Sequence, residues 1–482
     1  MAERNLDAAP LDVARARSFI DGEWQDAILP ALVEYVRIPN VSPAFDRDWA
    51  AHGHMDRALA LAEAWARRSA PAGASIEVVR LDERTPVLLV DVPGTVAGDV
   101  LLYGHLDKQP EMVGWAEGLG PWTPVVREER LYGRGAADDG YAVFASLTAI
   151  RALQEQGVPH PHCVVLIECS EESGSIDLPA HIEHLGARLG SPSLVVCLDS
   201  GCGDYDRLWC TTSLRGLLAV DLGVEVLEEG VHSGDAGGVV PSSFRIARLL
   251  LERLEDATTG RVRLPELHAD IPADRRAQAE VAAEALGPTA FQRFPFVPGA
   301  GTAKRDMVDL VLDRTWRPAI EVIAARGIPA LEDAGNVLRP RTTLRLGVRL
   351  PPTVPSARAA AAVRAALERD PPHGARVRVS AGGQTGWSAP PMAPWLEEKL
   401  RAASTTWFGP PPVAMGEGGS IPFMGMLGER FPAAQFVITG VLGPGSNAHG
   451  PNEFLDLRTA RRLTGCIAQV LATPRSGPPP AA

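Results

Sequence analysis

Three short apolar runs that each stop at a polar cluster restrict the fold of this chain more than any other feature of its sequence. Residues 100–103, 164–167 and 194–198 are continuous apolar stretches that read as buried strands. Gly104-His105-Leu106-Asp107 follows the first, Glu168-Cys169-Ser170-Glu171-Glu172-Ser173-Gly174 the second, and Asp199 the third. Helical patterns lie between them from about residue 25 to about residue 200, so the region reads as an open α/β sheet. Ligands bind beyond the carboxyl ends of strands in such sheets. The polar clusters are therefore expected to converge on one site.

The pattern changes after Ser213. Leu218, Val220, Leu222, Val224 and Val226 alternate with other residues, as do Leu344, Leu346, Val348 and Leu350, which is the period of half-buried antiparallel strands. Helices are expected over residues 243–255 and 356–368, giving a sheet with helices on one face. From residue 382 the first style returns, with a helix over 395–405 and a buried strand over 436–439. An α/β domain formed by residues 1–212 and 382–482 is thus expected to carry an inserted α+β domain, residues 213–381. At 482 residues the chain exceeds the usual domain size of about 100–200 residues. The Pro- and Gly-rich residues 294–303 read as an irregular loop, and the tail after Pro474 as disordered.

Composition excludes several classes of function. Hydrophobic residues at 45% and charged residues at 22% are a globular mix. Lys and Arg total 47 against 59 Asp and Glu, a net charge of −12 that repels a long polyanion, so nucleic acid is excluded as a partner. The first 23 residues mix Glu3, Arg4, Asp7, Asp12, Arg15 and Arg17 and lack the apolar core of a signal peptide. No apolar run reaches the roughly 18 residues of a membrane span, so a cytoplasmic protein with no membrane partner is expected. The six cysteines lack thiolate-zinc spacing and read as buried, reduced residues.

The clusters carry metal chemistry in their residue types. His105 and Asp107 lie two apart on one side of an extended segment, and a metal-bound imidazole commonly leans on a carboxylate. Gly133-Arg134-Gly135-Ala136-Ala137-Asp138-Asp139 delivers two acids just before an apolar helix. One can cap the helix while the other binds a cation. Glu171 and Glu172 are neighbouring carboxylates that repel unless a cation or proton relieves them. The loop residues 444–453 add His449. His105, Asp138, Glu172, Asp199 and His449 together suit Zn²⁺ or Mn²⁺, and they are too many for one zinc.

The order and spacing of these motifs resemble the M20 metallopeptidase family. Chain length, the long insertion and Glu417-Gly418-Gly419-Ser420-Ile421-Pro422 bring it nearest to the carnosinase-like dipeptidases. The resemblance covers about residue 30 to about residue 470. It implies a zinc-peptidase-like catalytic domain with an inserted lid and dimerisation domain, a homodimer, and two divalent ions per subunit, Zn²⁺ first and Mn²⁺ or Co²⁺ next. Asp138 would bridge the ions, with His105 and Asp199 completing one site and Glu172 and His449 the other. Asp107 would orient His105. Glu171 would be the general base for a water held between the ions. His232 would act across the subunit boundary on the oxyanion. Arg349, with Arg345 and Arg341 as rivals, would clamp a substrate carboxylate. Asn336, Gly418, Gly419 and Ser420 would also line the substrate site.

Three departures from the family pattern stand out, and the second and third bear on substrate contacts. Gly140 stands where the family carries Lys, and Gly416 where an Arg precedes the Glu-Gly-Gly-Ser motif; residues 381–384 also lack a His found in carnosinase-like members. The expected function is hydrolysis of the amide bond of a dipeptide or similar small peptide. An N-acyl-amino-acid deacylase is the alternative, and an inactive binding or assembly protein a remote one. The remote reading would call for loss of the base or a ligand, and all seven positions are filled.

Overall fold

A computed structural model of the chain describes residues 10–472 apart from 293 and 420. Ser420 and the tail after Pro474 therefore lie outside the described residues. The chain divides into two compact units, one running up to Thr211 and taking in Ala389–Ala414 and the residues from Pro422 onward. The other is Thr212–Ser388 with Met415–Ile421.

The first unit is built on a mixed sheet. The strands Asp99–His105, His162–Glu168, Leu194–Cys197 and Gln435–Ile438 are parallel to one another, in the order 162–168, 99–105, 194–197, 435–438. Val87–Val92 and Ser75–Val79 extend the sheet antiparallel beyond His162–Glu168. The central strands are buried along almost their whole length, which is why they are continuous apolar runs rather than alternating ones. Helix Ala142–Gln154 is buried at every position except Arg151 and Gln154, as its apolar composition all round requires. Helix Leu457–Leu471 starts at Asp456, whose carboxylate accepts the Thr459 N–H at 2.8 Å.

In the second unit four antiparallel strands run in the order Ala319–Arg326, Arg341–Leu350, Gly216–Glu225, Arg376–Gln384. The alternating residues Leu218, Val220, Leu222, Leu344, Leu346 and Val348 form its core with Ile246 and Leu250 of helix Ser243–Leu251 and Val363 and Leu367 of helix Ser356–Glu368. The strand Arg376–Gln384 continues past residue 381, where the sequence reading ends the insertion. It stays paired with Gly216–Glu225 as far as Gln384 opposite Leu217.

All six cysteines are buried. Among the described residues no helix is long and apolar enough to cross a membrane.

Candidate metal centre

His105 is the last residue of its strand, Glu168 the last of the adjacent one, and Asp199 follows the third by two residues. Parallel, neighbouring strands bring all three to one rim. The turn Ala136–Gly140 adds Asp138 there. This turn depends on Gly135, at φ +80°, because a Cβ at that position would stand 2.6 Å from the Lys108 side chain. Lys108 cannot yield: it is fully buried and donates to the Tyr35 and Ile38 carbonyls at 2.8 Å each.

Two groups of possible ligands share Asp138. His105, Asp138 and Asp199 form the first, and Asp138, Glu172 and His449 the second. His105 Nε2 is 3.4 Å from Asp138 Oδ1 and 3.7 Å from Asp199 Oδ2. His449 Nε2 is 3.1 Å from Asp138 Oδ2 and 3.3 Å from Glu172 Oε2. His449 is the exposed member.

The electrostatics call for cations. Burial pushes the Asp199 carboxyl up to about 6, against the pull of His105. Burial and then the charge of Asp138 raise Glu172 well above the usual range. Asp138 goes the other way: against burial, the His105 and His449 imidazoles hold it far below that range. Glu172 Oε1 and His105 Nε2 are buried without a hydrogen-bond partner among the described residues, and buried polar atoms are rarely left so. Nitrogen and carboxylate donors in two triads with a common member fit two divalent ions.

Glu171 and Glu172 form a turn beside these groups. Asp107 holds it directly, its Oδ1 accepting the Glu171 N–H at 3.0 Å and its Oδ2 the Glu172 N–H at 2.9 Å. His105 Nδ1 lies 3.0 Å from the Asp107 backbone carbonyl and 3.5 Å from its carboxylate. Asp107 thus ties the His105 segment to both glutamates. The Gln109 amide donates to Glu172 Oε2 at 2.5 Å. Burial, followed by the charge of Asp199, raises the Glu171 carboxyl well above the ordinary range.

The other candidate residues lie in the second unit. His232 is exposed on the short strand Val231–His232, with its Nδ1 accepting the Gly234 N–H at 3.2 Å. Asn336, also exposed, accepts the Ser233 N–H at 2.9 Å through its carbonyl. Of the three arginines, Arg345 is engaged by Asp221 at 2.6 and 2.7 Å and Arg341 is exposed. Arg349 is half-buried, and burial lowers its guanidinium from the ordinary value. The Gly418 carbonyl accepts from Arg215 at 3.4 Å, and a Cβ on Gly419 would meet open space.

Both glycine departures have a steric cause. A Cβ on Gly140 would stand 2.2 Å from the Tyr35 ring, and one on Gly416 would stand 2.5 Å from Ser213 Oγ and 2.9 Å from Thr315 Cβ. Neither site has room for the longer residue.

The sequence pattern gives no role to Gln109, Arg134 or Glu453. Arg134 and Glu453 pair at 2.7 Å while 1% and 0% exposed. Each lies within a singled-out motif, but no local spacing announces a partner so distant in the chain.

Residues 101–473 match the Peptidase family M20/M25/M40. Among characterised relatives, the cysteinylglycine-S-conjugate dipeptidase of Corynebacterium striatum is 29% identical over 405 residues, 82% of this chain and 85% of that one. The human β-Ala-His dipeptidase is 29% identical over 196 residues, 39% of this chain and 37% of its own. The crystal structure of human carnosine dipeptidase 1 shares the fold with a TM-score of 0.76 at 21% identity, covering 96% of this chain and 99% of that one. With the family match spanning most of its length, this chain belongs to peptidase family M20/M25/M40 and is a metallopeptidase.

Proposed function

We propose that the protein hydrolyses the amide bond of a dipeptide, or of a similarly small peptide, that bears a free carboxylate. The observation that carries this reading is the Glu171 carboxylate standing beside two ligand triads that share Asp138. The dipeptidases among its relatives support the choice of substrate.

Two divalent ions, with Zn²⁺ first and Mn²⁺ or Co²⁺ next, would polarise the scissile carbonyl and lower the pKa of water there. His105, Asp138 and Asp199 would hold one ion, and Asp138, Glu172 and His449 the other. Glu171 accepts a proton from the attacking water and passes it to the leaving nitrogen, a role favoured by a carboxyl tuned upward. Asp107 keeps the roles of the two glutamates apart by fixing both amides. In a homodimer formed through the inserted unit, His232 donates to the developing oxyanion. Arg349 clamps the substrate carboxylate, assisted by the segment of Gly418, Gly419 and Ser420 and by Asn336.

An N-acyl-amino acid presents the same carboxylate and amide, so a deacylase is the second reading. The metal-reconstituted protein is to be assayed against free dipeptides and N-acetyl amino acids, with both products read by mass spectrometry. Release of amino acids from dipeptides supports the first reading, and release of acetate alone replaces it with the second. No turnover of either, in protein holding two ions, sinks both.

A further inference from the structure

One buried acid has no part in this mechanism. Glu168 closes the strand His162–Glu168 and is 1% exposed. Its Oε1 accepts the Tyr103 hydroxyl at 2.6 Å and the Ser175 hydroxyl at 2.8 Å, and its Oε2 the Ser170 hydroxyl at 3.0 Å. Ser170 and Ser175 flank the turn Glu171–Ser173, and the Ser175 N–H returns to the carbonyls of Ser170 at 2.9 Å and Glu171 at 3.3 Å. Tyr103 is held in place by Phe423, with ring centroids 3.5 Å apart. The Glu168 carbonyl accepts the Leu106 N–H at 2.9 Å, between His105 and Asp107.

The turn is thus gripped on two sides. Asp107 takes the amides of Glu171 and Glu172, while Glu168 takes the hydroxyls before and after them. A buried carboxylate satisfied by three hydroxyls forms a network in low dielectric, where each bond is strong and hard to rearrange. If packing alone were served, an apolar residue of similar size would fill the place without this arrangement of hydroxyls.

We propose that Glu168 is a positioning residue for the reaction, fixing the Glu171–Glu172 turn through Ser170 and Ser175 so that one carboxylate faces substrate and the other faces His449. The proposal deepens the functional reading above and rests on it. Residues that orient ligands and bases in this indirect way affect activity or metal affinity by about 10–100-fold when lost.

The test compares Glu168→Leu with Glu168→Gln, whose amide retains an oxygen for two of the hydroxyls and can donate to the third. Expected for Glu168→Leu is a kcat at least about tenfold lower with KM within about twofold, and Mn²⁺ affinity of the metal-free protein weakened by about 10–100-fold in a calorimetric titration. Glu168→Gln should recover most of both. Wild-type kcat and Mn²⁺ affinity in folded Glu168→Leu overturn the proposal. So does a loss of thermal stability alone, with kcat per folded molecule unchanged. Should Glu168→Leu fail to fold, the double variant Ser170→Ala/Ser175→Ala carries the same expectation and the same refutation. A wild-type protein that turns over no substrate sinks the functional reading instead, and the Mn²⁺ titration then decides for or against Glu168 by itself.

Discussion

The Arg134 guanidinium stands 2.7 Å from the Glu453 carboxylate, across 319 residues of chain. Its remaining nitrogens donate to the carbonyls of Gly450 at 2.8 Å and Pro110 at 3.2 Å. The other Glu453 oxygen accepts the N–H groups of Gly135 at 3.0 Å and Ala137 at 3.3 Å. One ion pair thereby joins the turn that carries Asp138, the loop that carries His449 and the segment after His105. Removing one partner of a buried pair leaves the other charge uncompensated, at a cost of about 3–5 kcal/mol. Glu453→Ala should lower unfolding stability by that amount in urea titrations of the metal-free protein. It should also weaken metal binding, because His449 and Asp138 lose their common anchor. Unchanged stability would show that the loops are held by other contacts.

Glu171 makes a sharper prediction, since its side chain is assigned chemistry rather than architecture. Glu171→Gln keeps shape and removes the proton acceptor, so kcat should fall by about 10²–10⁴-fold. Metal content by atomic emission should stay at the wild-type value. A variant that loses metal along with activity would make Glu171 a ligand and not the base.

Stripping the ions should reverse the way stability depends on pH. Burial raises Asp199 from an ordinary 3.8 to about 6, and raises Glu168 and Glu453 from 4.5 to about 7. The folded, metal-free chain therefore binds more protons than the unfolded chain between about pH 4 and 7, and its stability falls as pH rises through that window. Asp138 has the opposite sign, but its contribution is lost only as pH falls below 3.8, outside the window. The Tm of chelated protein should drop from about pH 5 to about pH 7.5, while the stabilisation by added Zn²⁺ or Mn²⁺ grows, because ions held at Asp199 and its fellow ligands compete with the protons bound there. A chelated protein whose Tm climbs over this range would contradict the assignment of these carboxyls as groups that burial keeps protonated in the folded, metal-free chain.

How much of this was legible depends on whether a feature is local. Strands buried on both faces are unbroken apolar runs, so their ends are marked by the first polar residues, His105, Glu168 and Asp199. The alternation at 218–224 and 344–350 is likewise the alternation of burial in two neighbouring strands. Pairing across the chain leaves no such trace. Arg134 and Glu453, or Glu168 and its three hydroxyls, are ordinary polar residues until the fold brings them together. Gly382 and Gly383 hide the end of the strand Arg376–Gln384, since glycine carries no alternating side chain. Nor does any pattern announce that Met415–Ile421 groups with the second unit.

Gly140 is where local reading and packing meet. The resemblance places a lysine there, and the Tyr35 ring fills the space it would enter, 2.2 Å from a Cβ. Tyr35 is anchored through its hydroxyl to the Leu106 carbonyl at 2.6 Å, and the Lys108 ammonium lies 3.9 Å from its ring centre. The ring therefore has no easy way to retreat. Gly140→Ala should destabilise the protein by about 1–3 kcal/mol, the usual cost of overpacking a filled interior. Tyr35→Leu should be destabilising by itself, through the lost ring contacts and the lost hydroxyl bond to the Leu106 carbonyl, which keeps only the Asn40 amide at 2.6 Å. Combined, the two should cost less than their sum, because the smaller side chain makes room for the added methyl. A double-mutant cycle in urea reads that coupling directly, and strict additivity would mean that the strain at Gly140 comes from the backbone carbonyl of Gly135, 2.7 Å from the same Cβ, and not from Tyr35.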